Sequence, residues 1–254
     1  MRAGVFDSGV GGLTVVKSLL QARCFTEIIY FGDTARVPYG VKDKNTIIRY
    51  SLEALEFFKN FEIDMMIAAC NSVSAYAIGE LRQNAPFPVS GVIEPGVLAL
   101  KNRTERKDVK ILILGTRATV ESGRYETLLR SHGFEHITSL APSLFVPIVE
   151  EGLFSGAVLE SCMHHYFDGV EQPDYIILGC THFPLIAEAI GAYFPEATLI
   201  HSGEAIVEFL QERHALHRRF ETTTLKLFAS ENPERIKTTA KLWLGEESLS
   251  MGTM

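Results

Sequence analysis

The sequence predicts an α/β protein of two pseudo-symmetric, doubly wound parallel-sheet lobes that face a central cleft. Three observations lead there. Short apolar runs of strand length alternate with stretches of helical spacing, the pattern of a parallel sheet covered on both faces. The alternation restarts at Lys110. Finally, 63 residues separate Asp7 from Cys70 and 64 separate Thr116 from Cys180, so strand-end loops of similar chemistry recur at matched places in each half. A duplication of this kind brings strand ends from both lobes to one cleft about a pseudo-twofold axis. The expected division is residues 1–95 with 208–254 as the Asp7 and Cys70 lobe, and 96–207 as the Thr116 and Cys180 lobe.

In chain order, Ala3 to Phe6 form an apolar strand that runs into Asp7-Ser8-Gly9-Val10-Gly11-Gly12, and Leu13 to Leu20 carry helical spacing. The glycines do not make a nucleotide motif. A G-x-G-x-x-G fingerprint needs glycine at 14 and finds Thr14, and no Gly-Lys pair completes a P-loop. They are expected to let the backbone approach a small ligand, with Asp7 and Ser8 turned into the site. Glu27 to Phe31 form a second strand, followed by Gly32-Asp33-Thr34-Ala35-Arg36-Val37-Pro38-Tyr39-Gly40, a turn-rich loop that presents Tyr39. A helix over about Lys44 to Lys59 precedes the strand that starts at Met65 and ends on Cys70, and another helix follows through Leu81. Pro86 and Pro88 open a strand from Val89 to Ile93, which stops before Glu94-Pro95-Gly96.

In the second half, Lys110 to Leu114 form a strand that ends in Gly115-Thr116-Arg117-Ala118-Thr119, and a helix follows. A strand near His136 to Leu140, a turn at Pro142, the run Leu144 to Glu151 and a helix over about Gly156 to Phe167 come next. Tyr175 to Gly179 then form the strand that ends on Cys180. Beyond Ile200 lie a helix from Glu204 to His214, a strand from Thr224 to Phe228 and a helix from about Pro233 to Leu244, with no chemical signature.

Composition narrows the function. A net charge of −7 argues against a nucleic-acid partner, and the most basic cluster, Lys101 to Lys110, is interleaved with Glu105 and Asp108. Arg2 leads into a short apolar stretch that Asp7 interrupts, which is not a signal peptide, and no run is long enough to span a membrane. A cytoplasmic protein without a membrane partner is expected. Cys24, Cys70, Cys162 and Cys180 contain no C-x-x-C pair and read as free thiols. Neither Cys162 with His164 and His165, nor Cys180 with His182, completes a zinc site, so no metal is expected. Cys24 and Cys162 read as inert, and His164, His165, His214 and His217 as helix surface.

Cys70 and Cys180 are different. Each follows a strand of a parallel sheet, where ligands collect and where the N–H groups and dipole of the next helix favour thiolate over thiol. A free thiol has a pKa of about 8.5 and needs such surroundings to act as a base near neutrality. Two matched thiols on opposite walls suit a reaction with one acid/base group on each face of a carbon. A cysteine hydrolase has no use for the second thiol. A receptor would leave the substrate's α-carbon untouched, and a pyridoxal-dependent racemase needs a Schiff-base lysine that no motif suggests.

At Asp7-Ser8-Gly9-Val10-Gly11-Gly12, Gly32 to Gly40, Cys70-Asn71, Gly115 to Thr119 and Gly179-Cys180-Thr181-His182-Phe183-Pro184-Leu185, the chain resembles the glutamate racemases of the cofactor-independent aspartate/glutamate racemase family. The resemblance implies two α/β lobes with the C-terminal segment returning to the first, no cofactor, a homodimer, and interconversion of L- and D-glutamate to supply peptidoglycan synthesis. It makes Cys70 and Cys180 the acid/base pair, with Cys70 facing the α-hydrogen of D-glutamate and Cys180 that of L-glutamate. Asp7 assists Cys70, His182 assists Cys180, and Glu150 and Asp33 match auxiliary acidic positions. Asp7, Ser8, Pro38, Tyr39, Gly40, Asn71, Ser72, Thr116, Thr119, Thr181 and His182 match substrate contacts. The family commonly has Thr-Ala where this chain has Ser72-Val73, a swap that keeps the hydroxyl and adds bulk beneath the site.

Overall fold

The computed structural model describes residues 1–214, 216, 217 and 219–245, so residues 215, 218 and 246–254 of the expected first lobe lie outside the described residues. The strands are β1 (Arg2–Asp7), β2 (Glu27–Gly32), β3 (Met65–Ala68), β4 (Val89–Gly91), β5 (Ile111–Gly115), β6 (Ile137–Leu140), β7 (Tyr175–Gly179), β8 (Thr198–His201) and β9 (Thr224–Ala229). They form two wholly parallel sheets, β4-β3-β1-β2-β9 and β8-β7-β5-β6. The first four strands and the second four follow one order. Hence β3 and β7 hold equivalent places, as do β1 and β5. β9 brings the chain back to the first sheet, paired with β2 from Thr224 opposite Glu27 to Ala229 opposite Gly32.

The helices are α1 (Leu13–Ala22), α2 (Lys44–Phe58), α3 (Asn71–Tyr76), α4 (Ile78–Asn84), α5 (Ile93–Arg103), α6 (Arg117–Glu121), α7 (Arg124–Ser131), α8 (Phe145–Glu150), α9 (Ala157–Phe167), α10 (Ala187–Tyr193), α11 (Ser202–His214) and α12 (Pro233–Leu244). No helix among the described residues is long and apolar enough to cross a membrane. The central strands read as unbroken apolar runs because helices cover both faces; all four residues of β3 are buried. α11 packs on α1 and on α5 and ties the two halves together. Leu13, Val16 and Leu19 of α1 share one buried cluster with Leu178, Phe183, Ile206 and Leu210. Each such side chain contributes about 1.5–3 kcal/mol, so the halves are fastened by a common core behind the cleft.

Two expectations change. The strand from Val89 stops at Gly91, and Glu94-Pro95-Gly96 lies in the first turn of α5. Proline is tolerated there because the N–H it lacks would have no helical partner, and the Gly96 N–H donates to the Val92 carbonyl at 3.1 Å. The helix after Cys70 divides at Ala77 (φ −109°, ψ −5°) into α3 and α4.

Candidate active site

The site forms where the carboxyl ends of β1, β3, β5 and β7 converge. Ser8, Pro38, Tyr39, Gly40, Cys70, Asn71, Ser72, Thr116, Cys180, Thr181 and His182 line one enclosure with Val37 and Val146. It holds about 30 Å3, room for a couple of waters and no more. Of the residues the sequence nominates, Asp7, Asp33, Thr119 and Glu150 do not line it and stand behind those that do. A larger hollow of about 440 Å3 lies at the amino ends of β5 and β6, beside Lys110 and His136, away from the strand ends where parallel sheets hold ligands.

On the first wall, Cys70 precedes α3 and donates its Sγ proton to Ser8 Oγ at 3.6 Å. Asp7 is fully buried at the end of β1, with Oδ2 accepting from the Gly9 N–H at 3.0 Å and Oδ1 from Thr181 Oγ1 at 3.4 Å. Burial raises the Asp7 carboxyl above its usual range, against the pull of His182 and the N–H groups of Gly9 and Gly12. Burial and then the Asp7 charge push the Cys70 thiol up to about 12, against the Val73 N–H and the Ser8 hydroxyl. The expected preference for thiolate is therefore reversed here. α3 has only six residues, and its N–H groups do not offset loss of water in so small an enclosure.

The second wall is ionic. Cys180 Sγ lies 3.8 Å from His182 Nδ1, and His182 Nε2 lies 3.1 Å from Glu150 Oε1. Burial alone would lower the histidine's pKa; the bonds to Cys180 and Glu150 outweigh it and lift the group to about 10. Glu150 is held below its usual range by His182, and Arg235 adds to the effect with Nη2 at 3.5 Å from Oε2. Trp243 meets the His182 ring edge-on, with centroids 6.3 Å apart.

The loops between the walls interlock. The glycines after Asp7 make room for protein: Gly11 for the opposite lobe and Gly12 for Asp7 of its own. A Cβ at Gly11 would lie 2.3 Å from Thr181 Oγ1 and 2.6 Å from His182 Cε1, and one at Gly12 would lie 2.5 Å from Asp7 Cβ. Thr14 Oγ1 donates to the Thr181 carbonyl at 2.8 Å. At the mouth, Ser72 Oγ and Thr116 Oγ1 share a hydrogen bond at 2.9 Å, and Thr119 backs Thr116 at 3.0 Å. Val73, the bulkier residue of the departure noted above, is fully buried in the first lobe's core. Asp33 is buried and accepts from Arg36 Nε at 2.6 Å, from Ser230 Oγ at 2.8 Å and from the Tyr39 hydroxyl. Its place is to hold the loop that presents Tyr39.

Ser230, Arg235 and Trp243 come from the C-terminal return, where the sequence carries no chemical signature. Their partners are far away along the chain, with 85 residues between Glu150 and Arg235, and no local pattern encodes such a contact.

The profile of the family described as Asp/Glu/Hydantoin racemase matches residues 11–210. A glutamate racemase from a Nitratiruptor species is 67% identical over 245 residues, 96% of each chain. The crystal structure of glutamate racemase from Campylobacter jejuni superposes with a TM-score of 0.95 at 53% identity, covering 97% of this chain and 99% of that one. The Francisella tularensis glutamate racemase in complex with D-glutamate superposes with a TM-score of 0.85 at 30% identity, covering 96% and 93%.

Proposed function

The chain belongs to the Asp/Glu/Hydantoin racemase family, and from that premise we propose that it interconverts L- and D-glutamate through two opposed thiols, without a cofactor. One observation carries the reading: Cys70 and Cys180 line the same enclosure from the ends of equivalent strands in opposite sheets.

A two-base racemase needs one thiolate and one thiol at a time. The two walls are suited to that division. Cys180, beside a protonated His182, removes the α-proton of L-glutamate, and the imidazolium balances the thiolate before transfer. Cys70, held as a thiol by burial and by Asp7, delivers its proton to the opposite face and yields D-glutamate. In the reverse direction Cys70 is the base, and Asp7, with its raised carboxyl, exchanges the balancing proton. The hydroxyls of Ser8, Ser72, Thr116 and Thr181 and the Asn71 amide supply donors for the substrate's two carboxylates. The enclosure is smaller than glutamate, so the interlocked mouth at Ser72 and Thr116 opens to admit it. Beyond lies a depression of about 280 Å3 that shares Pro38, Gly40, Thr116 and Val146 with the enclosure. The D-glutamate formed is suited to peptidoglycan synthesis.

The test is circular dichroism of L-glutamate with the purified protein, without pyridoxal phosphate, metal or nucleotide. Enantiomers have equal free energy, so the signal is expected to decay to zero. A signal that persists, or decays only with an added cofactor, overturns the reading.

A further inference from the structure

We propose that Tyr125 is a positioning residue that locks the Asn71 carboxamide so that one of its N–H groups remains for the cleft, and the site thereby selects an anionic group of the substrate. The inference rests on the reading above and adds to it a residue that never touches the ligand. Asn71 begins α3, directly after Cys70, and lines the enclosure. Behind it, Tyr125 of α7 and Ser202 at the start of α11 reach across from the second half. The Tyr125 hydroxyl donates to Asn71 Oδ1 at 2.8 Å, and Asn71 Nδ2 donates to Ser202 Oγ at 3.5 Å. Ser202 Oγ donates to the Leu178 carbonyl at 3.1 Å.

The orientation of the amide follows from counting protons. A backbone carbonyl only accepts, so the single Ser202 proton goes to Leu178 or to the Tyr125 oxygen that it also meets, and in either case Ser202 accepts from Asn71. The end of the carboxamide that faces Ser202 is therefore the NH2, which leaves Oδ1 for Tyr125. Burial pushes the phenol well above its ordinary value and keeps it a donor. The Asn71 oxygen is thus occupied, and one of its two N–H groups remains for a ligand. A carboxylate accepts hydrogen bonds and donates none, so this end attracts it, whereas a flipped amide would present lone pairs to a negative charge.

The tyrosine is seated to do this. Its ring is buried, and a Cβ added at Gly179 would lie 3.1 Å from Cε2, or at Gly96 3.5 Å from the hydroxyl. A side chain at Gly179 would press on the ring, and one at Gly96 would rest in ordinary contact with the hydroxyl.

The experiment is Tyr125→Phe, which keeps the ring and removes the donor. The expected result is a rise of about tenfold or more in KM for both enantiomers, and in the calorimetric Kd for D-glutamate, as for loss of one bond to a charged group. kcat should fall by less than about threefold, since uniform binding is what is lost. Asn71→Ala should raise KM at least as much, and adding Tyr125→Phe to it should change nothing further. An unchanged KM, or full additivity in the double variant, overturns the proposal, as does a lowered melting temperature with normal KM. Should Tyr125→Phe fail to fold, Asn71→Asp is the second arm: it keeps an acceptor for the Tyr125 hydroxyl and replaces the free N–H by an oxygen, so KM should rise by about tenfold or more, and an unchanged KM overturns the proposal. A wild-type protein that binds glutamate without racemising it sinks the two-thiol reading and leaves the binding comparison intact.

Discussion

Cys70 and Cys180 stand at the ends of equivalent strands, β3 and β7, yet their neighbours differ in kind. Around Cys70, exclusion of water and a buried carboxylate hold a proton on sulphur, against the Ser8 hydroxyl beside it. Around Cys180 is a histidine fastened to Glu150, a group that stores positive charge beside sulphur. The repeated strand order supplies matching positions, and the side chains after each strand supply opposite polarity. Symmetry of position with asymmetry of charge is what a transfer between two faces of one carbon requires, since two identical walls would both be charged or both neutral.

The strongest way to break the comparison is to remove each sulphur. Cys70→Ser and Cys180→Ser are each expected to lower turnover by about a thousandfold or more with the fold intact, because a serine hydroxyl does not ionise under the same stabilisation. If either variant keeps near-normal turnover by circular dichroism, that wall is structural.

A sharper test moves to the supporting groups. Asp7→Asn and His182→Asn should each cost on the order of a hundredfold in kcat/KM, equally in both directions, because the equilibrium constant is one. The walls separate in isotope effects. Asp7→Asn should raise the primary effect with α-deuterated D-glutamate more than with the L isomer, and His182→Asn should do the opposite. Equal effects, or the reverse bias, would detach these groups from their walls.

The smallest effect lies furthest from the sulphur. Glu150→Gln weakens the hold on the His182 proton and should slow turnover by about threefold to tenfold. A histidine raised from 6.5 to about 10 adds stability that is complete below pH 6.5 and is lost as pH rises through 10. The wild type should therefore melt higher than Glu150→Gln near pH 6.5, with the two melting temperatures converging toward pH 10. A gap that widens with pH contradicts the assignment. Arg235→Gln should change turnover by less than about twofold, since its side chain is 53% exposed and such pairs are weak.

Much of this was legible in the chain. β1, β3, β5 and β7 announce themselves as short apolar runs ending in small polar residues, and the matched spacing of Asp7–Cys70 and Thr116–Cys180 exposes the repeat. The protonation of Cys70 was not legible, because it depends on how tightly the enclosure excludes water, a property of the assembled lobes. Glu94-Pro95-Gly96 misled because proline and glycine mark a turn in isolation yet fit a helix's first turn. Tyr125, Ser230 and Arg235 act through partners far away in sequence, where neither periodicity nor motif reaches.

The placement of β9 has a consequence for how the protein is made. Synthesis runs from the amino end, so the four strands of the second sheet are all available before β9 emerges, and that sheet can complete itself on local contacts. The first sheet, begun earlier, keeps the flank of β2 open until Thr224–Ala229 arrive, some two hundred residues later. The half that starts first finishes last. During that interval β2 presents an unpaired apolar edge to other nascent chains, and this is the stage at which aggregation competes with folding.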